Sequence, residues 1–456
     1  MSDVVLGIDI GSSKICAVIA EIKDKKPHII GTGIVTHGVR KGIRKGIITN
    51  IDYAATAIKS AVNDARRVAG TSVSEAIVSV SGAYCKGTNS RGIVNIPQNE
   101  IGIREINRVM QTAVYNSTPL NEYEVIHVLP NSFTVDEQEN IDDPIGMNGS
   151  RLEVEVHIIT AQKSTLNNLK KAVKAAGIEI KNLVLSGYAS SIATINEDEK
   201  ELGVAMVDLG DTSSNLAVHV GNSIKYNDFL AVGSNHITND LSISLHTPIV
   251  AAEKTKIEYG TLKDGEESKG KLIELPLMGD NQIKQQFSLS LIQNIISARV
   301  EETLILVNKL IERSGQKELL GGGIVLTGGY TKLEGIREVA SEIFDHLPVR
   351  VAHPRELEGV FEALKDPSFS CSIGLILYGS GYFTNYELDY YKNLRSNNEM
   401  NEKHELKEER SEPPRLDELL PKKEHGGDLS NIPKIKNTEG QDGVFSKFYR
   451  WITQLF

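Results

Sequence analysis

The chain has 456 residues with 40% hydrophobic and 24% charged content, enough for two or three domains around buried cores. Its formal net charge of −10 excludes general nucleic-acid binding, which needs a basic footprint to displace phosphate counterions, so no nucleic-acid partner is expected. Cys16, Cys85 and Cys371 lie far apart, so neither a disulfide framework nor a zinc site is read, and no apolar run reaches the ~18 residues of a spanning helix.

The opening residues carry no secretory leader, which predicts a cytoplasmic protein. Residues 4–10, VVLGIDI, read as a buried strand closed by a turn at 11–13, and KICAVIAEI and residues 28–35 follow as second and third strands. NIDYAATAIKSAVNDARRVAG then places Ile51, Ala55, Ile58, Val62, Ala65 and Val68 at helical spacing, with Asn50 as cap and Gly70 as stop. EAIVSVSG adds a strand and completes a β-β-β-α-β order. Further on, GIREINRVMQTAVYN reads as a helix, and RLEVEVHIIT alternates Leu152, Val154, Val156 and Ile158 with polar neighbours, as a half-exposed strand does. Together they make a small α+β module.

The second half repeats the first. LGVAMVDLG reads as a buried strand, NLAVHVG and SIKYNDFLAVG follow, and a helix begins near Asn235. Asp9-x-Gly11 and Asp208-x-Gly210 each close a hydrophobic strand. One such turn serves any β-hairpin; two, in similar halves, predict duplicated domains facing one another across a cleft. A third turn lies in GGGIVLTGGYTKLEGIREVASEIF, where a strand from Ile324 to Thr327 meets Gly328 and Gly329 before a helix near Leu333. Glycines there let the backbone approach a flat ligand, although the pattern also suits an ordinary strand-to-helix connection. Between Pro248 and Lys284 lies a polar insert, and FSLSLIQNIISARVEETLILVNKLIERSG follows as a long helix with Leu291, Ile295, Leu304 and Val307 turned to the core.

From 384 to 443 the apolar periodicity stops and Lys, Glu, Asn, Ser and Pro dominate, which predicts a disordered linker with a root-mean-square reach of roughly 40–50 Å. The ending, GVFSKFYRWITQLF, holds three phenylalanines and the only tryptophan. Advanced 100° per residue, Phe445, Phe448, Trp451, Ile452, Leu455 and Phe456 share one face with Val444 and Tyr449, while Lys447 and Arg450 lie on the polar face. Such a helix is about 20 Å long, too short to span a bilayer but suited to its interface. Its two cations would each add about 1 kcal/mol beside anionic lipids. The alternative is a terminal helix docked on its own domain. A single short anchor holds reversibly, whereas many on one filament hold tightly.

The three glycine turns, in this order, resemble those of the actin, Hsp70 and sugar-kinase superfamily. HVLPNSFTVDEQENIDDPIGMNGSRLEVEVHIITAQKS, from His127 to Ser164, is similar to the FtsA family of bacterial cell-division proteins. The resemblance runs over about 4–382 and returns at the terminus. It implies an α/β fold: duplicated actin-like (RNase H-like) domains around a nucleotide cleft, with a small α+β insert subdomain and a disordered tail ending in an amphipathic helix. The implied division is 1–83, 163–190 and 360–383 for domain 1 (1A), with 84–162 as its insert (1C). Domain 2 (2A) takes 191–230 and 305–359, and subdomain 2B takes 231–304; the linker is 384–443 and the membrane helix 444–456.

The implied ligands are ATP and Mg²⁺. Gly11, Ser12, Ser13 and Lys14 would meet the phosphates, Asp9 and Asp208 would hold the metal through waters, Gly210 and Gly233 would let the backbone approach the phosphate tail, and Gly328 and Gly329 would face the nucleoside. The implied role is an actin-like protein that polymerises on the cytoplasmic face of the membrane at the division septum, tethers the FtsZ ring and recruits other division proteins. Arg299 and Glu302 match positions that receive the FtsZ carboxy-terminal peptide, although an exposed Arg–Glu pair also suits a solvated helix face.

Two stretches depart from the pattern. DLGDTSSN carries Asp211 and Thr212 where glycines are usual and Asn215 in place of a carboxylate, so Asp211 should repel phosphate unless it turns away or engages the metal. LSGYASS carries Ser186 where relatives have a glutamate that orients the attacking water; a serine is no base without an activator, which predicts slow hydrolysis or none. ATP would then act mainly as a structural ligand. The rival readings are a PilM-like pilus-assembly protein and a small-molecule kinase of the same superfamily.

Overall fold

Near-continuous apolar runs build the two central strands. Asp3–Ile10 and Val204–Leu209 are buried over most of their length, as strands covered on both faces are. A computed structural model describes residues 3–396 except 25, 37–38, 98–99, 222 and 264–269. The expected terminal helix, with Phe445, Lys447, Phe448, Arg450, Trp451, Ile452, Leu455 and Phe456, lies outside the described residues, as does the chain beyond Ser396.

Each central strand organises a five-stranded sheet, and the two sheets have one plan. In the first, Asp3–Ile10 pairs antiparallel with Ile15–Lys23, which pairs antiparallel with Lys26–Val35; on its other side it runs parallel to Glu75–Val80, and that strand to Glu179–Leu185. In the second, Val204–Leu209 pairs antiparallel with Ser214–Val220, then Ser223–Leu230; on its other side lie Gly323–Thr327 and Val349–Val351, both parallel. The register is also repeated: Asp9 faces Cys16 and Asp208 faces Asn215, each one residue short of the strand end. The expected duplication is therefore present strand for strand.

Helix Ile51–Ala69 covers the first sheet. Its Asn50 side chain accepts from the Tyr53 backbone N–H and Gly70 closes it at φ 65°. The buried stripe is Ala54, Ala55, Ile58, Ala61, Val62 and Ala65; Val68, expected in the core, is 47% exposed because it falls off that stripe at the helix end. Helices Ser186–Thr194 and Ser370–Gly379 lie against each other and approach most closely where Gly374 meets Ala189. A Cβ on Gly374 would sit 1.8 Å from the Ala189 carbonyl oxygen, so only glycine permits the contact. The first of these helices also packs on Val204–Leu209, so it joins one half of the molecule to the other.

The α+β module forms as expected, with one extension. Helix Ile103–Asn116 lies on a sheet of Cys85–Asn95, Arg151–Gln162 and Tyr123–Val135, and Ile106, Val109 and Met110 meet Val154, Val156 and Ile158. From His157 onward Arg151–Gln162 is buried on both faces, since this end of the module adjoins the main halves. Beyond Tyr123–Val135 the sheet continues into Glu387–Leu388 and Leu394–Arg395. Residues 384–396, expected in the linker, therefore belong to the fold: Tyr386, Glu387 and Leu388 are fully buried. Glu387 accepts from the Tyr188 hydroxyl at 2.8 Å and the Tyr378 hydroxyl at 2.6 Å, and Arg395 lies 3.3 Å from it.

In the second half, helices Asn235–Ser244 and Ile249–Tyr259 and the hairpin Leu272–Leu277 with Asp280–Ser288 precede the long helix Leu289–Arg313. Leu304 and Val307 are buried as expected. Leu291 is 44% exposed and Ile295 only partly covered, because the buried stripe runs through Leu289, Ile292, Ile296, Val300 and Leu304. This helix is unbroken across the expected 304/305 boundary, and Ser186–Thr194 across 190/191, so both domain limits fall inside rigid elements.

Candidate functional site

The two Asp turns and the GG turn open onto one cavity of about 770 Å³. The hairpin after Asp3–Ile10 is closed by Gly11 N donating to the Lys14 carbonyl at 3.0 Å, and the one after Val204–Leu209 by Gly210 N donating to Ser213 at 2.9 Å. Asp9, Gly11, Ser12, Ser13, Lys14, Asp208, Gly210, Gly328 and Gly329 all line the cavity. Gly233 does not. It stands behind the second turn, where a Cβ would come within 2.6 Å of the Asp211 and Gly210 carbonyl oxygens, and Ser234 lines the cavity instead. Gly328 adopts φ +92°, and a Cβ there would meet the Asp208 carboxylate and the Leu209 carbonyl, each at 2.4 Å.

The charges on the cavity floor are held by neighbours. Asp208 accepts from the Ser190 hydroxyl at 2.7 Å; burial, with repulsion from Asp9 adding to it, raises its pKa from 3.8 to about 6. Burial likewise pushes Asp9 upward, against hydrogen bonds from Cys371, Ser79 and Ser372 and the charge of Lys14. Lys14 donates to the Ser368 hydroxyl at 2.6 Å with its ammonium 3.3 Å above the Phe369 ring, and burial lowers its pKa. Ser12 accepts from the Gly46 backbone N–H at 2.9 Å.

The second turn leaves polar atoms without partners. Asp211 Oδ2, Thr212 Oγ1 and Asn215 Oδ1 are buried and make no hydrogen bond among the described residues. The other oxygen of Asp211 is taken by Arg40 at 2.8 Å, a residue of the first half. Ser186 lines the cavity at the start of its helix. Among the described residues no group of three or more His, Cys, Asp and Glu side chains is arranged to hold a metal.

Family models match two stretches of the chain, the SHS2 domain inserted in FtsA at 82–160 and the cell division protein FtsA at 205–374. The FtsA cell division protein of Helicobacter pylori strain ATCC 700392 / 26695 is 42% identical over 413 residues, 85% of this chain and 84% of that protein. This chain belongs to the FtsA family. FtsA of Bacillus subtilis strain 168 is 35% identical over 83% of either chain, and FtsA of Pseudomonas aeruginosa PAO1 is 34% identical over 82% of this chain and 89% of its own. Solved structures share the fold: the PilM-PilN type IV pilus biogenesis complex (TM-score 0.60, 18% identity, 82% of this chain and 98% of that one) and MreB5 of Spiroplasma citri bound to ADP (TM-score 0.50, 14% identity, 82% and 94%). At those identities the likeness is one of fold alone, so the PilM-like reading gives way to FtsA, an actin-like cell-division protein.

Several residues of this FtsA-family cleft carry no local signal. Arg40 lies in VRKGIRK, which has no motif, and reaches Asp211 only through the tertiary fold. Ser190 had a weak signal, one helical turn after Ser186. Glu253 and Lys256 also line the cavity and are joined to each other at 2.9 Å and to Thr238. Away from the cleft, Arg299 forks onto Asp240, through Nε at 2.5 Å and Nη2 at 3.1 Å, and also meets Glu302. The expected partner pair is thus one edge of an internal triad.

Proposed function

We propose that the cleft binds ATP with Mg²⁺ and that nucleotide binding controls assembly of the chain into filaments on the cytoplasmic face of the membrane at the division septum, where it tethers the FtsZ ring and recruits other division proteins. The observation that carries this is the paired Asp-x-Gly hairpins, equivalent in register, opening on one cavity beside the GG turn. MreB5 of Spiroplasma citri, of the same fold, has been solved with ADP and with AMPPNP.

The residues fit the ligands. Mg²⁺ keeps waters and shares phosphate oxygens, so the two carboxylates Asp9 and Asp208 suffice without a full protein cage. Ser12, Ser13 and Lys14 offer donors to phosphate, Gly11 and Gly210 close their hairpins with their own N–H groups and let the backbone come near the ligand, and the Thr212 hydroxyl, without a partner among the described residues, lines the cavity from the second turn. When bound, the metal would neutralise phosphate charge. Hydrolysis is slow or absent in this reading: Ser186 cannot act as a base, Asp211 is engaged by Arg40, and Glu253 by Lys256 and Thr238.

Among the described residues no helix is long and apolar enough to cross a membrane. Attachment is assigned to Phe445, Lys447, Phe448, Arg450, Trp451, Ile452, Leu455 and Phe456 of the amphipathic ending, on anionic lipids. Arg299 and Glu302 are proposed to meet the FtsZ carboxy-terminal peptide, with Asp240 holding Arg299 in place. The test is co-sedimentation with anionic vesicles of the full chain and of a chain ending at Asp442, each with and without Mg-ATP. The expected result is pelleting of the full chain only, stronger with ATP. Pelleting of neither, or of both alike, would overturn the attachment.

A further inference from the structure

The ion pair between Arg40 and Asp211 joins the two halves of the molecule across the cavity that both residues line. Arg40 belongs to the short helix Val39–Gly42 after the first sheet's third strand; Asp211 belongs to the turn after Val204–Leu209. They meet at 2.8 Å through Nη2 and Oδ1, with the Arg40 side chain still 46% exposed. Among the described residues Asp211 Oδ2 is buried without a partner, and so is the neighbouring Thr212 hydroxyl.

A carboxylate in a turn that faces an anionic ligand repels that ligand unless a cation compensates it. Lys256 also acts on Asp211, but it already donates to Glu253 and Thr238. Arg40 is therefore the group that renders Asp211 compatible with phosphate. A guanidinium also carries five N–H donors in a planar fork, so one that engages a carboxylate through Nη2 has the geometry to engage a second oxyanion through its other nitrogens. A lysine, a point charge, would do so less well. We infer that Arg40 is a phosphate-binding residue of the cleft, neutralised and positioned by Asp211 until a polyphosphate arrives. This rests on the nucleotide reading of the cleft. It assigns to the chain a cation outside the three glycine turns, contributed from across the cavity.

The competing role is a plain latch that only holds the halves together. The two roles differ in what happens when the acid is removed. A latch is broken equally by Arg40→Ala and Asp211→Ala. A phosphate ligand is lost with Arg40→Ala but released for use by Asp211→Ala. Direct binding of Mg-ATP, Mg-ADP and adenosine to the full chain separates them, read by titration calorimetry alongside the melting temperature of each nucleotide-free variant. Arg40→Ala and Arg40→Gln should weaken Mg-ATP at least tenfold and adenosine less than twofold, with Arg40→Lys recovering part of the loss. Asp211→Ala should bind Mg-ATP as well as the native chain or better, and Arg40→Ala with Asp211→Ala should fall between. Equal losses for Arg40→Ala and Asp211→Ala, or an equal loss for adenosine, would show a latch and overturn the inference. Unchanged Mg-ATP affinity in Arg40→Ala and Arg40→Gln would overturn it while leaving the nucleotide reading intact. A native chain that binds neither ATP nor ADP would overturn both.

Discussion

Asp208 shows how a single carboxylate on the cavity wall costs stability. Its pKa is raised to about 6 in the folded chain, from 3.8, so the fold binds its proton more tightly than the unfolded chain does. Ionised Asp208 therefore weakens the nucleotide-free fold above about pH 6, and the penalty fades as pH falls toward 4. Asp208→Asn should raise the melting temperature at pH 8, and the gap between variant and native chain should close by pH 4; a constant gap, or none, would contradict this. Gly328→Ala forces a side chain onto φ +92° and into the Asp208 carboxylate, so a loss of about 1–3 kcal/mol in urea unfolding is expected. At this scale the sequence was legible wherever the chemistry is local. Asp9, Lys14, Asp208 and Gly328 sit in turns readable from their neighbours, whereas Arg40 lies 171 residues from Asp211 and its role appears only when the halves meet.

Among the elements, the segment after helix Ser370–Gly379 is the least legible. It joins a polar tail without a break, and although it holds Tyr386, Leu388 and Tyr390 at alternate positions, so short a pattern does not fix a strand. What holds it is provided from elsewhere: the edge of the inserted sheet at Val128, and the hydroxyls of Tyr188 and Tyr378. A chain ending at Phe383 should therefore melt well below one ending at Ser396, since burial of Tyr386 and Leu388 contributes about 1.5–3 kcal/mol each. Equal melting temperatures would mean that the segment adds nothing. Helix packing gives a second expectation at this scale. Gly374→Ala must push Ser370–Gly379 off Ser186–Thr194, lowering stability by about 1–3 kcal/mol or more in the same unfolding experiment. The long strands and helices were legible because their apolar runs are continuous or strictly periodic. The exposed Leu291 was misread because Leu289, Leu291, Ile292, Ile295 and Ile296 crowd the first turns of the helix with apolar residues on more than one side, so its register is not disclosed there.

Across the whole molecule, duplication is the organising fact. Two sheets of one plan present two acidic turns to one cavity, and helix Ser186–Thr194 ties the halves together through Ser190 and Asp208. A ligand that contacts both halves favours the arrangement in which they close, by as much as its affinity differs between open and closed forms. Coupled to assembly, that difference would make attachment through many weak terminal helices steep in nucleotide concentration. The most direct test is calorimetric titration of Mg-ATP into the full chain at pH 7.5, repeated with EDTA and with Asp208→Asn. One ATP per chain is predicted, with affinity at least tenfold weaker, about 1.4 kcal/mol, when either the metal or the carboxylate is removed. No binding, or binding indifferent to both changes, would contradict the assignment of the cleft.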